Sequence, residues 1–461
     1  MMALGVICMA IVFFTDDANH TRFWSNYLIN SVFFLGISFV ATFVLAAFCI
    51  GYSGWHVVFK RIWEGFSLFL IVGLFLMLVV IAGIWGHFHH LYHWADKAAV
   101  AADEVLKGKS SFLNPVWYTL GTLIIVGTWY YFARKFRAFS LEEDDHGDAN
   151  YKQHKRFKKW ASIFLPIGGF TSAAMIWQWI MSVDAHWYST MFAWYTTASW
   201  FVSMLALTML LLLYLKSKGY FTFVTTEHIH DLGKFIFAFS IFWTYLWFSQ
   251  FMLIWYGNNG EETVYFKERF DSYPVLFWAN LGLNFFLPFL ILLRNDTKRK
   301  IGTLVLVSTI VLLGHWLDFF QMVKPGTLIT AKEAAEHGQH HEVGAASHEE
   351  TAPMPAAAHG DSAVASHETT EAAGEHTPAA EATAHSEAAK GEAHAAEAGA
   401  HHEEANTGFY KGFTLPGLLD LGTFIGFLGL FLYFALMQLA KAPLLPKKDP
   451  YIGESLNHHV Q

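Results

Sequence analysis

The chain has 461 residues, of which 54% are hydrophobic and 17% aromatic but only 15% charged. It repeats apolar runs of about 20 residues, which a soluble protein would not carry and a polytopic membrane protein must. The formal charge of −8 identifies no partner, because much of the acid lies in one polar insert, and nothing in the chain favours nucleic acid.

Ten apolar spans are predicted, over 1–14, 27–51, 65–86, 116–134, 160–182, 191–215, 234–256, 273–294, 301–323 and 412–441. The expected fold class is an all-α polytopic membrane protein. Two four-helix bundles, spans 2–5 and 6–9, are expected with flanking helices. The first span is short and lacks a basic n-region and a small-residue cleavage site, so a signal peptide fits poorly. Cys8 and Cys49 both lie in apolar runs, with no CxxC, CxxCH or spaced Cys/His set. That pattern does not support covalent haem, iron–sulfur or zinc binding by this chain, and no phosphate-binding glycine loop is present.

With the N-terminus cytoplasmic, 20 of the 30 lysines and arginines fall in inside segments. The positive-inside rule then predicts both termini on the cytoplasmic side. The inside loop 135–159 is basic on both flanks of the acidic run Glu142 to Asp145. It reads as an orientation signal in a solvated loop, or as a docking surface for a partner. Residues 331–406 are low-complexity Ala, Glu, His, Gly and Thr, with 11 of the 25 histidines. They are expected to form a disordered periplasmic loop with adventitious metal binding at most. The domains expected are a membrane part, 1–330, this loop, and span 10 with a cytoplasmic tail, 407–461.

Four odd-numbered spans are expected to deliver ionisable groups to the outer layer. Span 3 ends in His87, His89, His90, His93 and Asp96. Span 5 ends in Asp184 and His186 among Trp177, Trp179 and Trp187. Span 7 ends in Gln250, Tyr256, Asn258, Glu261 and Glu262, and span 9 in His315 and Asp318. Intramembrane ionisable groups point to a functional site. The competing reading is interfacial decoration, with the tryptophans as an aromatic belt. Inner ends carry Lys and Arg, which snorkel. Span interiors are nearly free of His, which argues against buried haem b. Short strings echo four spans apart, IWGHFHH with IWYGNNG and DAHW with HWLD, suggesting duplicated halves. A quinol site needs an apolar aromatic cleft with a hydrogen-bond donor and a proton acceptor, which His with Asp or Glu supplies.

Three strings, WIMSVDAHWYSTMF, FSQFMLIWYGNNGEETVYF and GHWLDFFQMVKP, resemble the second NrfD-like, polysulfide-reductase-type membrane subunit of bacterial alternative complex III, the ActF family. The likeness runs over spans 2 to 10. It implies a subunit of a respiratory quinol:cytochrome c (or high-potential acceptor) oxidoreductase that holds no redox centre itself. Haem c and iron–sulfur clusters would sit in multihaem cytochrome and iron–sulfur partner subunits. A paralogous NrfD-like subunit, lipids and a terminal oxidase are the further partners implied. Quinol is the one candidate ligand for this chain, and its role would be a quinone-like cleft, a proton pathway or scaffolding. A purely structural subunit and a stand-alone proton-coupled transporter remain alternatives. A transporter is expected to carry charges near the midplane, whereas the charges here are expected at span ends.

Overall fold

The computed structural model describes residues 1–147, 150–348 and 415–459. The chain divides into a membrane unit, Met1–Glu333 with Gly412–Gln461, and the stretch Ala334–Lys411. All the apolar spans belong to the membrane unit. Among the described residues the secondary structure is helical throughout, without strands.

Each of the ten expected spans falls on a helix. These are α1 (Met2–Thr15), α2 (Thr21–Ile50), α3 (Val57–Trp85, with a turn at Leu68 and Phe69), α4 (Pro115–His146), α5 (Lys152–Trp179), α6 (Thr190–Ser217), α7 (Thr226–Gly257), α8 (Pro274–Leu292), α9 (Ile301–His348) and α10 (Leu418–Leu439). Eight of them, all but α1 and α4, are long and apolar enough to cross a bilayer, so the protein is an all-α polytopic membrane protein. Because α9 is described to His348, the boundary expected at 331 falls inside a helix. The rest of the low-complexity segment, 349–406, lies outside the described residues.

Local chemistry sets the helix ends. Asn114 accepts from the Trp117 N–H at 2.7 Å with Pro115 in the first turn of α4. Thr225 and His228 form a capping box at the start of α7. Within α8 the turn Gly282–Phe286 widens to a π-helix. Pro288 has no N–H to offer the carbonyl four residues back, that of Asn284, so the regular ladder is broken there.

The first bundle, α2 to α5, packs with α2 against α3, α4 and α5, and α4 against α3 and α5. In the second bundle α7 packs on α6 and α8, and α9 is tied to all three by hydrogen bonds to Asp318. Helix α6 also packs on α2 and α5, joining the bundles. Helix α10 packs on α1, α2 and α3. A Cβ at Gly426 would lie 2.4 Å from Gly5 Cα, so these two backbones touch and only glycine fits.

The basic side departs from expectation. Residues 135–159 are not a solvated loop: α4 runs to His146 and α5 starts at Lys152. Ala, Arg, Lys and Glu sustain helix on both sides of Gly147, which ends the first of the two. Nor do the cations there all snorkel. Lys60, Arg61 and Arg137 are buried, as is Glu64. Glu64 accepts from Arg61 at 2.6 Å, from Ser140 at 2.6 Å and from Arg137. Arg61 also pairs with Asp144, and Lys60 with Asp449 of the C-terminal segment. Paired this fully, the charges stay within the protein rather than reaching water.

Candidate functional site

The polar centre lies inside the second bundle, on Asp318. Its carboxylate is fully buried. Oδ1 accepts from the Tyr195 hydroxyl and from Asn280 Nδ2 at 2.8 Å. Oδ2 accepts from Ser199 Oγ at 2.9 Å and Trp243 Nε1 at 3.0 Å. Tyr195 and Ser199 come from α6, Trp243 from α7, Asn280 from α8 and Asp318 from α9. Four donors aimed at two oxygens are what an acceptor-only carboxylate satisfies.

His315, also fully buried, extends this network. Its Nδ1 lies 2.9 Å from Ser199 Oγ. The Ser199 proton goes to Asp318, so the Oγ lone pair accepts from His315 Nδ1–H. That assigns the tautomer and leaves Nε2 as the bare nitrogen, buried and without a partner among the described residues. The widened turn of α8 fits the same place. A Cβ at Gly314 would meet Asn284 Oδ1 at 2.3 Å, so glycine there admits Asn284 beside α9. Asn284 donates to Asn280 Oδ1 at 2.5 Å, and Asn280 Nδ2 also donates to Gln321 Oε1 at 3.0 Å, which holds both amides.

This placement corrects two expectations. Span 9 does not end at His315 and Asp318, because the helix continues past Thr330. Asp318 therefore lies 17 residues from Ile301, roughly 26 Å along the axis at 1.5 Å per residue, and Thr330 is a further ~18 Å on. The ionisable groups are thus not confined to span ends. One of the two sequence echoes also fails, since DAHW lies in a turn after α5 while HWLD lies in mid-helix, whereas IWGHFHH and IWYGNNG both fall at helix ends, of α3 and α7.

A narrow crevice leads from this network toward the Asp184 side. Tyr195, Gln250, Tyr265, Arg269 and Gln321 line it with Trp247, Phe266 and Phe277, leaving room for a water or two rather than an organic ring. Arg269 is 2% exposed, lies over the Tyr265 ring at 3.3 Å and donates to the Tyr265 carbonyl at 2.8 Å. Its Nε and Nη2 are buried without partners among the described residues. Its Nη1 is 3.9 Å from Asp184 Oδ2, so the crevice is closed by a guanidinium whose far side carries a carboxylate.

Asp184 and His186 do not act as a pair. Asp184 turns toward Arg269, while half-exposed His186 donates from Nε2 to Asp103 Oδ2 at 2.5 Å. That bond holds the Asp103 carboxyl below the usual carboxylate range. Asp103 caps the short helix Glu104–Lys109, and Lys109 donates to the Ala185 and His186 carbonyls at 2.7 and 3.3 Å. The segments after α3, α5 and α7 are therefore knit together.

The tryptophans do not form a belt. Trp179 is buried and donates to Thr122 Oγ1 at 2.9 Å, and Trp187 is buried and stacked on Tyr265 at 3.8 Å. Trp177 is half-buried. His89 is also buried, donating to the Val80 carbonyl at 3.1 Å against the Trp24 ring. Burial pushes it down to about 4, which disfavours the imidazolium form. His87, His90, Asp96, Tyr256 and Glu261 are exposed and are not brought to the crevice; Asp96 caps Lys97–Ala102. Glu262 is half-buried and also outside it, whereas Gln250 is buried and lines it.

Sequence reading missed Tyr195, Ser199, Trp243, Asn280, Asn284, Gln321, Tyr265 and Arg269. The available signal was the spacing of Asn280 and Asn284, two amides one turn apart in a span that also holds Pro288. No protein-family model matches the chain, and a search of curated proteins finds no match.

Proposed function

We propose that this chain is the second NrfD-like membrane subunit of a quinol-oxidising respiratory complex of the alternative complex III kind. In this reading Asp318 is its proton-carrying carboxylate. The observation that carries the reading is where the three resembling strings meet. Trp179–Phe192 supplies Asp184, and Trp187 stacked on Tyr265. Phe248–Phe266 supplies Gln250, Tyr265 and Phe266 of the crevice, and Gly314–Pro325 supplies His315, Asp318 and Gln321. Strings far apart in the chain thus meet at one crevice beside the buried network.

The chemistry follows from the contacts. A proton arriving at His315 Nε2 would release Nδ1–H toward Ser199 Oγ, whose own proton passes to Asp318 Oδ2. From Asp318 the Tyr195 hydroxyl leads to the crevice, where water beside Gln250 and Gln321 would carry it to Arg269. The guanidinium cannot give up its proton, so Arg269 acts as an electrostatic gate. Asp184, beyond it, would collect protons at the periplasmic face, the side opposite the basic helix ends. The chain would bind no haem or cluster; quinol oxidation would rest with the paralogous subunit and redox partners.

The second reading is a stand-alone proton-coupled transporter. A mid-helix carboxylate and a broken helix α8 beside it favour this reading, because such helices mark transporter midplane sites. One purification separates the two. Tagged full-length chain from native membranes should bring multihaem and iron–sulfur partners, and Asp318→Asn should slow quinol-dependent reduction while those partners still co-purify. Recovery of the chain alone would sink the respiratory reading.

A further inference from the structure

A second feature lies away from the Asp318 network and does not depend on the functional reading. Helices α2, α5 and α6 leave an apolar groove open to the lipid, walled by Phe39, Phe43, Pro166, Gly169, Ala193 and Phe201. Phe170 and Trp194 stand at its rim, 82% and 66% exposed. The groove is continuous with a more polar recess beyond its Asp184-side end, because Trp177 and Thr190 line both. The recess contains Lys109, Ser182 and Ser189.

Two observations say what fits. The first is length. The groove runs from Trp177 to Pro166 on α5 and from Thr190 to Phe201 on α6, 11 residue steps along each wall. At 1.5 Å per residue that is roughly 17 Å, close to half of the ~30 Å hydrocarbon core, or one leaflet. An acyl chain of one leaflet matches it, and a long isoprenoid tail would overrun it. The second is polarity. Lys109 is the one cation lining either space. It donates to two neutral carbonyls and forms no ion pair among the described residues, since Asp103 is taken by His186 and Asp184 faces Arg269. The indole N–H groups of Trp177 and Trp187, which line the recess, have no acceptor among those residues either, and α6 starts at Ser189 without a side-chain cap. A recess with a cation and unmet donors at the head of a one-leaflet apolar groove suits an anionic amphiphile.

We propose that this groove and recess bind one phospholipid with an anionic headgroup, from the leaflet on the Asp184 side. Its phosphate meets Lys109 and the recess donors, and one acyl chain lies along the groove. The test is native mass spectrometry of the full-length protein, with whatever subunits accompany it, after exchange into mixed micelles. The micelles carry either dioleoyl phosphatidylglycerol or dioleoyl phosphatidylcholine. The wild type should retain one phosphatidylglycerol per chain at about tenfold higher occupancy than phosphatidylcholine, because both phosphates can accept from Lys109 but only phosphatidylcholine brings a choline cation beside that ammonium. Lys109→Gln should bring phosphatidylglycerol down to the phosphatidylcholine level. Gly169→Leu, at a position where an added Cβ meets nothing within 4 Å, should fill the groove and reduce both lipids. Thermal unfolding confirms that each variant is folded; if Lys109→Gln does not fold, the Gly169→Leu arm decides. Equal retention of the two lipids by wild type, unchanged retention in the folded variants, or a retained quinone in place of phospholipid would each overturn the proposal.

Discussion

Asp318→Asn probes the buried network with the least change in shape. With the amide oxygen at the Oδ1 position, the bonds from Tyr195 and Asn280 survive. The amide NH2 then occupies the Oδ2 position and faces Ser199 and Trp243, which lie 2.9 and 3.0 Å from that oxygen in the native protein. The Ser199 hydroxyl can rotate to accept and send its proton toward His315 Nδ1, which then switches tautomer. The Trp243 indole can only donate, so one buried donor is stranded. The opposite placement is worse, because Asn280 cannot flip without losing its contacts to Gln321 and Asn284. One stranded donor costs about 1–3 kcal/mol. The assay is a double-mutant cycle on the purified protein in detergent, with Trp243→Phe as the second change and unfolding free energy as the readout. Trp243→Phe should cost less in the Asp318→Asn background than in wild type, by about 1–3 kcal/mol, because the indole there has no acceptor left to lose. Under the proposed function, neither Asp318→Asn nor the double variant should show normal quinol turnover, since both lack the carboxyl. If Trp243→Phe costs the same in both backgrounds, the convergent donor set does not exist as described.

Three further outcomes are expected. Glu64→Gln should destabilise the protein by about 3–5 kcal/mol, because it leaves Arg61 and Arg137 buried beside a neutral group. Glu142→Gln, in an exposed pair with Arg156, should change it by under ~1 kcal/mol; matching unfolding curves for the two would refute the burial argument. Asp16, between α1 and α2, accepts from the Phe23 N–H at 2.7 Å, and its burial raises its pKa to about 6. A raised carboxyl adds stability that is complete below the ordinary value near ~3.9 and is lost as pH rises through about 6. The melting temperature should therefore fall over that window in wild type and stay flatter in Asp16→Asn; parallel profiles would count against it. Single cysteines at 148 and in place of exposed Tyr188 should label from opposite sides of the membrane, the first only after the membrane is permeabilised, as the excess of Lys and Arg on the α4–α5 side requires. Labelling in the reverse order would invert the orientation.

The sequence by itself determined the class of protein and the place of every long helix, because apolar runs of bilayer length have no other stable home. It also picked out Asp184, His186, His315 and Asp318 by the cost of ionisable groups in an apolar setting. It did not determine how deep they lie. The apolar run of span 9 is read to 323, just before Lys324; in the fold Lys324 is buried and donates to Ser25 Oγ at 2.7 Å, and the helix runs on. A hydropathy window cannot know that a partner from α2 will accept that ammonium. The same limit applied on the basic side, where Arg61, Arg137 and Glu64 are hidden by one another rather than reaching water. Only the tertiary structure decided that Tyr195, Ser199, Trp243 and Asn280, unremarkable in their own spans, turn their donors onto one carboxylate, because hydrogen bonding between helices depends on rotation and register about axes that no single segment encodes.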